Sequence, residues 1–183
     1  MATSKTGSFW LTESVELTAL GVGVQGTLDL GAYVDVGDAQ AIAIEQVDLI
    51  IQAEDTSTGT FTNSLPGAAT GNTQWGFQLT DLNKGAVYVR ADDNTLVASG
   101  VVYLDDTNSI VSQGPDLFPD IFGKLDEARM VVNDSLFLVA SFTGSALAAN
   151  RSYWVTARIK ARIVKLSQKD WMSIAIQSTA SDN

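Results

Sequence analysis

The sequence predicts an all-β protein of one domain, and three observations carry that prediction. Apolar and polar residues alternate along most of the chain, the period-2 pattern of half-buried strands. The breaks between alternating runs are filled by Gly, Asn, Asp, Thr and Ser, the residues that turns favour. The 183 residues are 45% hydrophobic, enough for one sizeable sandwich core and far from a disordered composition.

The elements follow in order. After a polar leader over 1–8, residues 9–20 alternate from Leu11 onward and predict a strand, punctuated by Gly21, Gly23 and Gly26. Residues 27–36 alternate again, with Leu28, Leu30, Val34 and Val36 on one face, and Gly37-Asp38 marks a turn. Residues 41–55 carry Ile42, Ile44, Val47, Leu49 and Ile51, so the apolar parity switches between Ile44 and Val47. One extra residue in the strand, a β-bulge, makes such a switch. Residues 56–72 form a long polar connection, and a loop of that length is usually functional or exposed to a partner.

Trp75, Phe77 and Leu79 then share one face of a short strand, followed by predicted strands over 87–91 and 96–104. Asp-rich turns at 92–94 and 105–108 separate these runs. Residues 115–119 read as loop, residues 126–130 as one helical turn, and 136–142 as a buried strand. The clearest strand spans 153–166, with Val155, Ala157, Ile159, Ala161 and Ile163 on one side and Thr156, Arg158, Lys160 and Arg162 on the other. Ser167 reads as the N-cap of a short helical segment, 167–178, with Asp170 in its first turn. The sum is a single domain, 1–183, of eight antiparallel strands. At this length that count predicts an eight-stranded antiparallel jelly-roll β-sandwich with a short C-terminal helix, other sandwich topologies remaining open at this level.

Composition limits the chemistry. There is no histidine and no cysteine, so imidazole bases, thiolate nucleophiles and zinc ligation through either are excluded, and stability owes nothing to disulfides. No cofactor is expected. The net charge is −10, from 21 acidic against 11 basic residues, and the acids are 16 Asp against 5 Glu. That acidity repels nucleic-acid phosphates and is compatible with a salt-loving source. No run approaches the roughly 18–20 apolar residues of a membrane span, and the leader lacks a signal-peptide core.

Carboxylates are the remaining catalytic candidates, as in a glycosidase pair. The doublets Asp92/Asp93 and Asp105/Asp106 sit in turn settings, where Asp serves the backbone, and strand neighbours point to opposite faces. No Asp-rich run has calcium-loop spacing, and the pattern Gly21-Val22-Gly23-Val24-Gln25-Gly26 lacks the βαβ context of a phosphate loop. The stripe Arg158, Lys160, Arg162 and Lys165 is expected to meet acidic neighbours within the sheet or on a partner subunit. Trp10, Trp75, Trp154 and Trp171 admit a sugar-binding platform, although core packing and interface anchoring are commoner uses of Trp. Asn133-Asp134-Ser135 and Asn150-Arg151-Ser152 match the short glycosylation pattern.

The strand over 27–36, the long Arg/Lys-alternating strand, and its run through Val164-Lys165-Leu166-Ser167-Gln168-Lys169-Asp170-Trp171 into a helix resemble a known family. They are similar to the small single jelly-roll major capsid proteins of tailless icosahedral archaeal and bacterial viruses with an internal membrane. The resemblance implies no enzyme activity, location in the virion, self-association into capsomers, a second capsid or spike protein, and a membrane beneath the shell. Capsid chains that package RNA or single-stranded DNA directly often carry a basic N-terminal arm. Residues 1–8 hold only Lys5, so no direct nucleic-acid contact is expected. The expected subunit contacts are Trp10, Arg158, Lys160, Arg162, the 56–72 loop and the helix around Trp171. The rival readings are a lectin-like or virion-decorating sandwich that binds glycans through Trp75 or Trp10, a carboxylate-only glycan hydrolase or lyase, and a tail-tube protein.

Overall fold

The structure, a computed structural model, describes residues 2–62, 65–67, 69–114, 128–144 and 146–179. These form eleven strands and one helix: β1 (Thr3–Ser4), β2 (Phe9–Leu17), β3 (Val24–Asp29), β4 (Gln40–Asp55), β5 (Thr60–Thr62), β6 (Thr73–Thr80), β7 (Leu96–Asp105), β8 (Ile110–Gln113), β9 (Arg129–Val131), β10 (Ser135–Gly144), β11 (Arg151–Lys165) and α1 (Gln168–Thr179). Every pairing between them is antiparallel.

Two sheets make a sandwich. In the first, β11 lies between β4 on one side and β1 with β2 on the other, while β5 and β9 pair with the far edge of β4. The second runs β3-β10-β6-β7-β8. Period-2 alternation sends Tyr153, Val155, Ala157, Ile159 and Ala161 of β11 inward, against Trp75, Phe77 and Leu79 of β6 and Leu136, Leu138, Ala140 and Phe142 of β10. Tyr153 is the hub of this core. Its ring meets Trp75 edge-on at 4.9 Å and Phe142 at 5.3 Å, the geometry that aromatic quadrupoles favour.

The parity switch in β4 is a bulge. Lys160 pairs with Gln46 and Ala161 with Ile44, which leaves Glu45 as the extra residue. Beyond it Ile42 and Ile44 enter the main core, while Ala41 and Ala43 turn outward into a second cluster with Ala128, Val132, Val164 and Leu166. The helix seals that cluster with Trp171, Ile174 and Ala175. Ser167 caps the helix as its sequence predicts, accepting from the Asp170 amide at 3.1 Å.

Several expectations need correction. Eleven strands replace eight, because β1, β5 and β8 are two to four residues long and exposed, too short for alternation to register. The strand expected over 27–36 ends at Asp29, whose carboxylate accepts from the Gly31 amide at 2.7 Å and turns the chain. Residues 87–91 are not a strand: Val89 gives its amide and carbonyl to the side chain of Gln78, not to a neighbouring backbone. The helical turn expected over 126–130 gives way at Arg129 and Met130 to β9, which pairs with β4. Residues 126–127 and the loop expected over 115–119 lie outside the described residues. The polar leader joins the first sheet: Thr3 pairs with Lys165, and Lys5 donates to the carbonyl of Ile163 at 2.8 Å.

Candidate functional site

The outward face of the first sheet gathers part of the expected contact set. Cross-strand register places Trp10 of β2 opposite Lys160 of β11, with Arg158 two residues along. The Arg158 guanidinium carbon stands 4.8 Å from the centre of the Trp10 ring. Such a cation–π pair contributes about 0.5–1 kcal/mol at an exposed site. Trp10 keeps 44% of its surface exposed, and among the described residues Lys160 makes no ion pair. On its other side Arg158 faces Asp48 of β4, which accepts from Gln46 at 2.8 Å.

Arg162 belongs to a different arrangement. It pairs with the buried carboxylate of Glu45 at the bulge and donates to Ser8 Oγ at 3.1 Å, and Ser8 donates to Glu45 at 2.7 Å. The bulge thus carries an inserted carboxylate that a cation from the next strand neutralises. Lys165 lies 3.6 Å from Asp38, where the Lys5 hydrogen bond and the nearby cations hold the carboxyl below its usual range. Half of the basic stripe is therefore met by acids of its own chain, and Arg158 and Lys160 remain turned to solvent beside Trp10.

Trp171, in the first turn of α1, is half-buried against Ala41, Ala43 and Val164 at the end of the same sheet face. Beside it Val36, Met172 and Ile176 are exposed, and Val36, Ala39, Gln168, Trp171 and Met172 line an apolar depression of about 230 Å³. Met172 and Ile176 are four residues apart and so share one face of the helix. That face is unpartnered among the described residues.

The 56–72 connection is only partly free. Residues 55–59 turn tightly, with Gly59 at φ 68°, and β5 presents exposed Phe61, which meets Trp154 edge-on at 6.3 Å. Further on, Leu65 and Ala69 enter the main core. Among the described residues of the connection, Thr56 to Thr62, Gly67, Thr70 and Asn72 are exposed.

The tryptophan platform is not one surface. Trp75 is fully buried, because it shares the inward face of β6 with Phe77 and Leu79, so it cannot stack on a glycan. Trp154 is half-buried and donates to Glu54 at 2.6 Å. The Asp doublets serve turns. Asp93 accepts from the Thr95 amide and hydroxyl at 2.8 and 2.6 Å, and Asp105 accepts from Asn108 at 2.7 Å. Gly21, at φ 70°, and Gly23 lie in the connection from β2 to β3, while Val24, Gln25 and Gly26 are already in β3 and pair with β10. Asn133 donates its side-chain amide to the Asp81 carbonyl at 2.8 Å.

Two polar groups escape sequence reasoning. Asp81, just beyond β6, is buried beside Arg129 of β9 at 3.3 Å. Burial outweighs that cation and raises its carboxyl to about 6. Glu13 points between the sheets on β2, against Gly26, and burial raises it too. Its odd-numbered place between Leu11 and Val15 was the available signal. No helix among the described residues is long and apolar enough to cross a membrane.

No family model matches the chain, and no curated protein is similar to it in sequence.

Proposed function

We propose that this chain is a single jelly-roll capsid subunit that self-associates into the capsomers of an icosahedral shell. With the exposed strands β1, β5 and β8 set aside, the first sheet reads β2-β11-β4-β9 and the second β3-β10-β6-β7. The chain crosses from one sheet to the other at almost every step. That order supports a jelly roll, the double-sheet architecture that capsid and lectin domains share.

The observation that carries the assembly reading is the apolar face of α1, which no described residue covers. Val36 and Met172 are exposed at the rim of a depression and Ile176 is exposed one helical turn on, close to the end of a sheet face that also carries Trp10, Arg158 and Lys160. Apolar patches rimmed by charge mark protein contacts, and aromatic and Arg anchors are enriched in them. In a closed shell, many such modest interfaces add through multivalency. The internal membrane and the second capsid or spike protein belong to the same proposal, as does location in the virion.

The double variant M172E/I176E tests it. Both side chains are exposed, so the fold should stay intact by far-UV circular dichroism, while sedimentation velocity should show assemblies lost or shifted to smaller species. Wild-type-like assemblies from the variant would remove α1 from the interface. Deletion of 167–183 is a cruder test, because it also uncovers Ala41, Ala43 and Val164.

A further inference from the structure

The second sheet also turns one face away from the core, and a strap covers part of it. Residues 82–95 leave β6 and return to β7 across that face. Tyr88 rests on Gly76, donating to its carbonyl at 2.6 Å and meeting Ser141 Oγ at 2.8 Å. A Cβ on Gly76 would stand 2.9 Å from the Tyr88 hydroxyl, so only glycine leaves room for the ring. Gln78 holds Val89 by two hydrogen bonds, of 2.8 and 2.9 Å. The strap thus occupies the polar groups of two successive cross-strand rows.

Among the described residues no strap covers the next row. Register across four strands aligns Thr143, Gln74, Tyr103 and Ser112 on the outer face. These four line a groove of about 440 Å³ whose wall includes Asn72 and Ile110. No side-chain hydrogen bond ties any of the four to another described residue. Tyr103 is 40% exposed. Gly114 backs its ring, and a Cβ there would stand 2.9 Å from Tyr103 Cε2 and 2.3 Å from Val101.

The chemistry of the row is specific. It holds no charge, and the nearest acid, Asp105, is occupied by Asn108, so an ion is not the natural ligand. An aromatic ring offers a face for stacking, while an amide and two hydroxyls offer both donors and acceptors. With strands ~4.8 Å apart, the row runs roughly 14 Å across the sheet. That length suits an extended chain of polyhydroxylated rings better than a compact molecule.

We propose that this row is a binding site for a neutral oligosaccharide, with Tyr103 as the stacking platform and Gln74, Thr143 and Ser112 as the hydrogen-bonding groups. The site is separate from the α1 face and does not depend on shell assembly. A printed array of neutral and sialylated oligosaccharides, followed by calorimetric titration of the best-bound glycan, tests it. Wild-type protein should bind a neutral glycan. Y103A should weaken binding at least tenfold, Q74A should weaken it less, and Y103F and W10A should leave it nearly unchanged. Gln74 is an exposed side chain, so Q74A keeps the test valid should Y103A fail to fold. Absence of binding across the array, binding that survives both Y103A and Q74A, or a glycan lost only with W10A would each overturn the site. So would Y103A altering the oligomeric state, since the row would then be a contact between copies.

Discussion

Replacing Asp81 by Asn separates a pH effect that the wild-type protein should show from every other titration. The Asp81 side chain is 1% exposed and lies 3.3 Å from Arg129, which links the end of β6 to β9. Burial raises its carboxyl from 3.8 to about 6, despite the cation. At about 1.4 kcal/mol per tenfold change in proton affinity, this is ~3 kcal/mol of preference for the neutral form in the folded state. Between pH 3.8 and 6 the folded chain holds this proton and the unfolded chain releases it. Stability from this group is therefore full below about pH 4 and lost as the pH rises through 6. Asp38 and Asp55 act in the opposite sense, since hydrogen bonds from Lys5 and Ser57 respectively lower them and their stabilisation disappears in acid. Urea unfolding of wild type and D81N from pH 3.5 to 7.5 isolates the Asp81 part as the difference between the two curves. That difference should move by about 2–3 kcal/mol against the wild type as the pH rises, levelling above about 6.5. An uncompensated Arg129 in the variant adds an offset without slope. Parallel curves across this range would refute the reasoning.

Other expectations are simpler. E13Q should raise the melting temperature at pH 7 and leave it unchanged near pH 4, because burial alone opposes the Glu13 charge; equal effects at both pH values would contradict this. G76A should destabilise by about 1–3 kcal/mol through overpacking against Tyr88, and near-UV circular dichroism should report the displaced strap. W75A should cost about 3–5 kcal/mol, since it removes a buried ring packed edge-on against Tyr153, with denaturant unfolding as the measure.

Much of the frame was legible because alternation reports burial directly. The change of parity between Ile44 and Val47 located the bulge to the residue pair that contains Glu45, and 153–166 read correctly as the long strand β11. Ser167 declared the start of α1. What stayed hidden depends on partners distant in sequence. Ile110–Gln113 is an exposed strand recognisable only by its pairing with β7. Residues 87–91 alternate like a strand, yet a glutamine side chain takes the place of the missing neighbour. The Trp10–Arg158 contact needed the register of β2 on β11, which no local pattern carries. Trp75, which the glycan-binding alternative needed at the surface, is buried as the commoner core use of Trp expects, and Phe77 and Leu79 already marked its face as the inner one. Asp81 and Arg129 lie 48 positions apart, and nothing in the chain's composition joins them.

The central proposal, that shape and contact are this protein's function, is tested most directly by negative-stain microscopy of the purified protein at high concentration. Closed shells, or uniform rings of the size of capsomers, are the expected result. Monodisperse monomers at every concentration and salt, or open tubes, would contradict it.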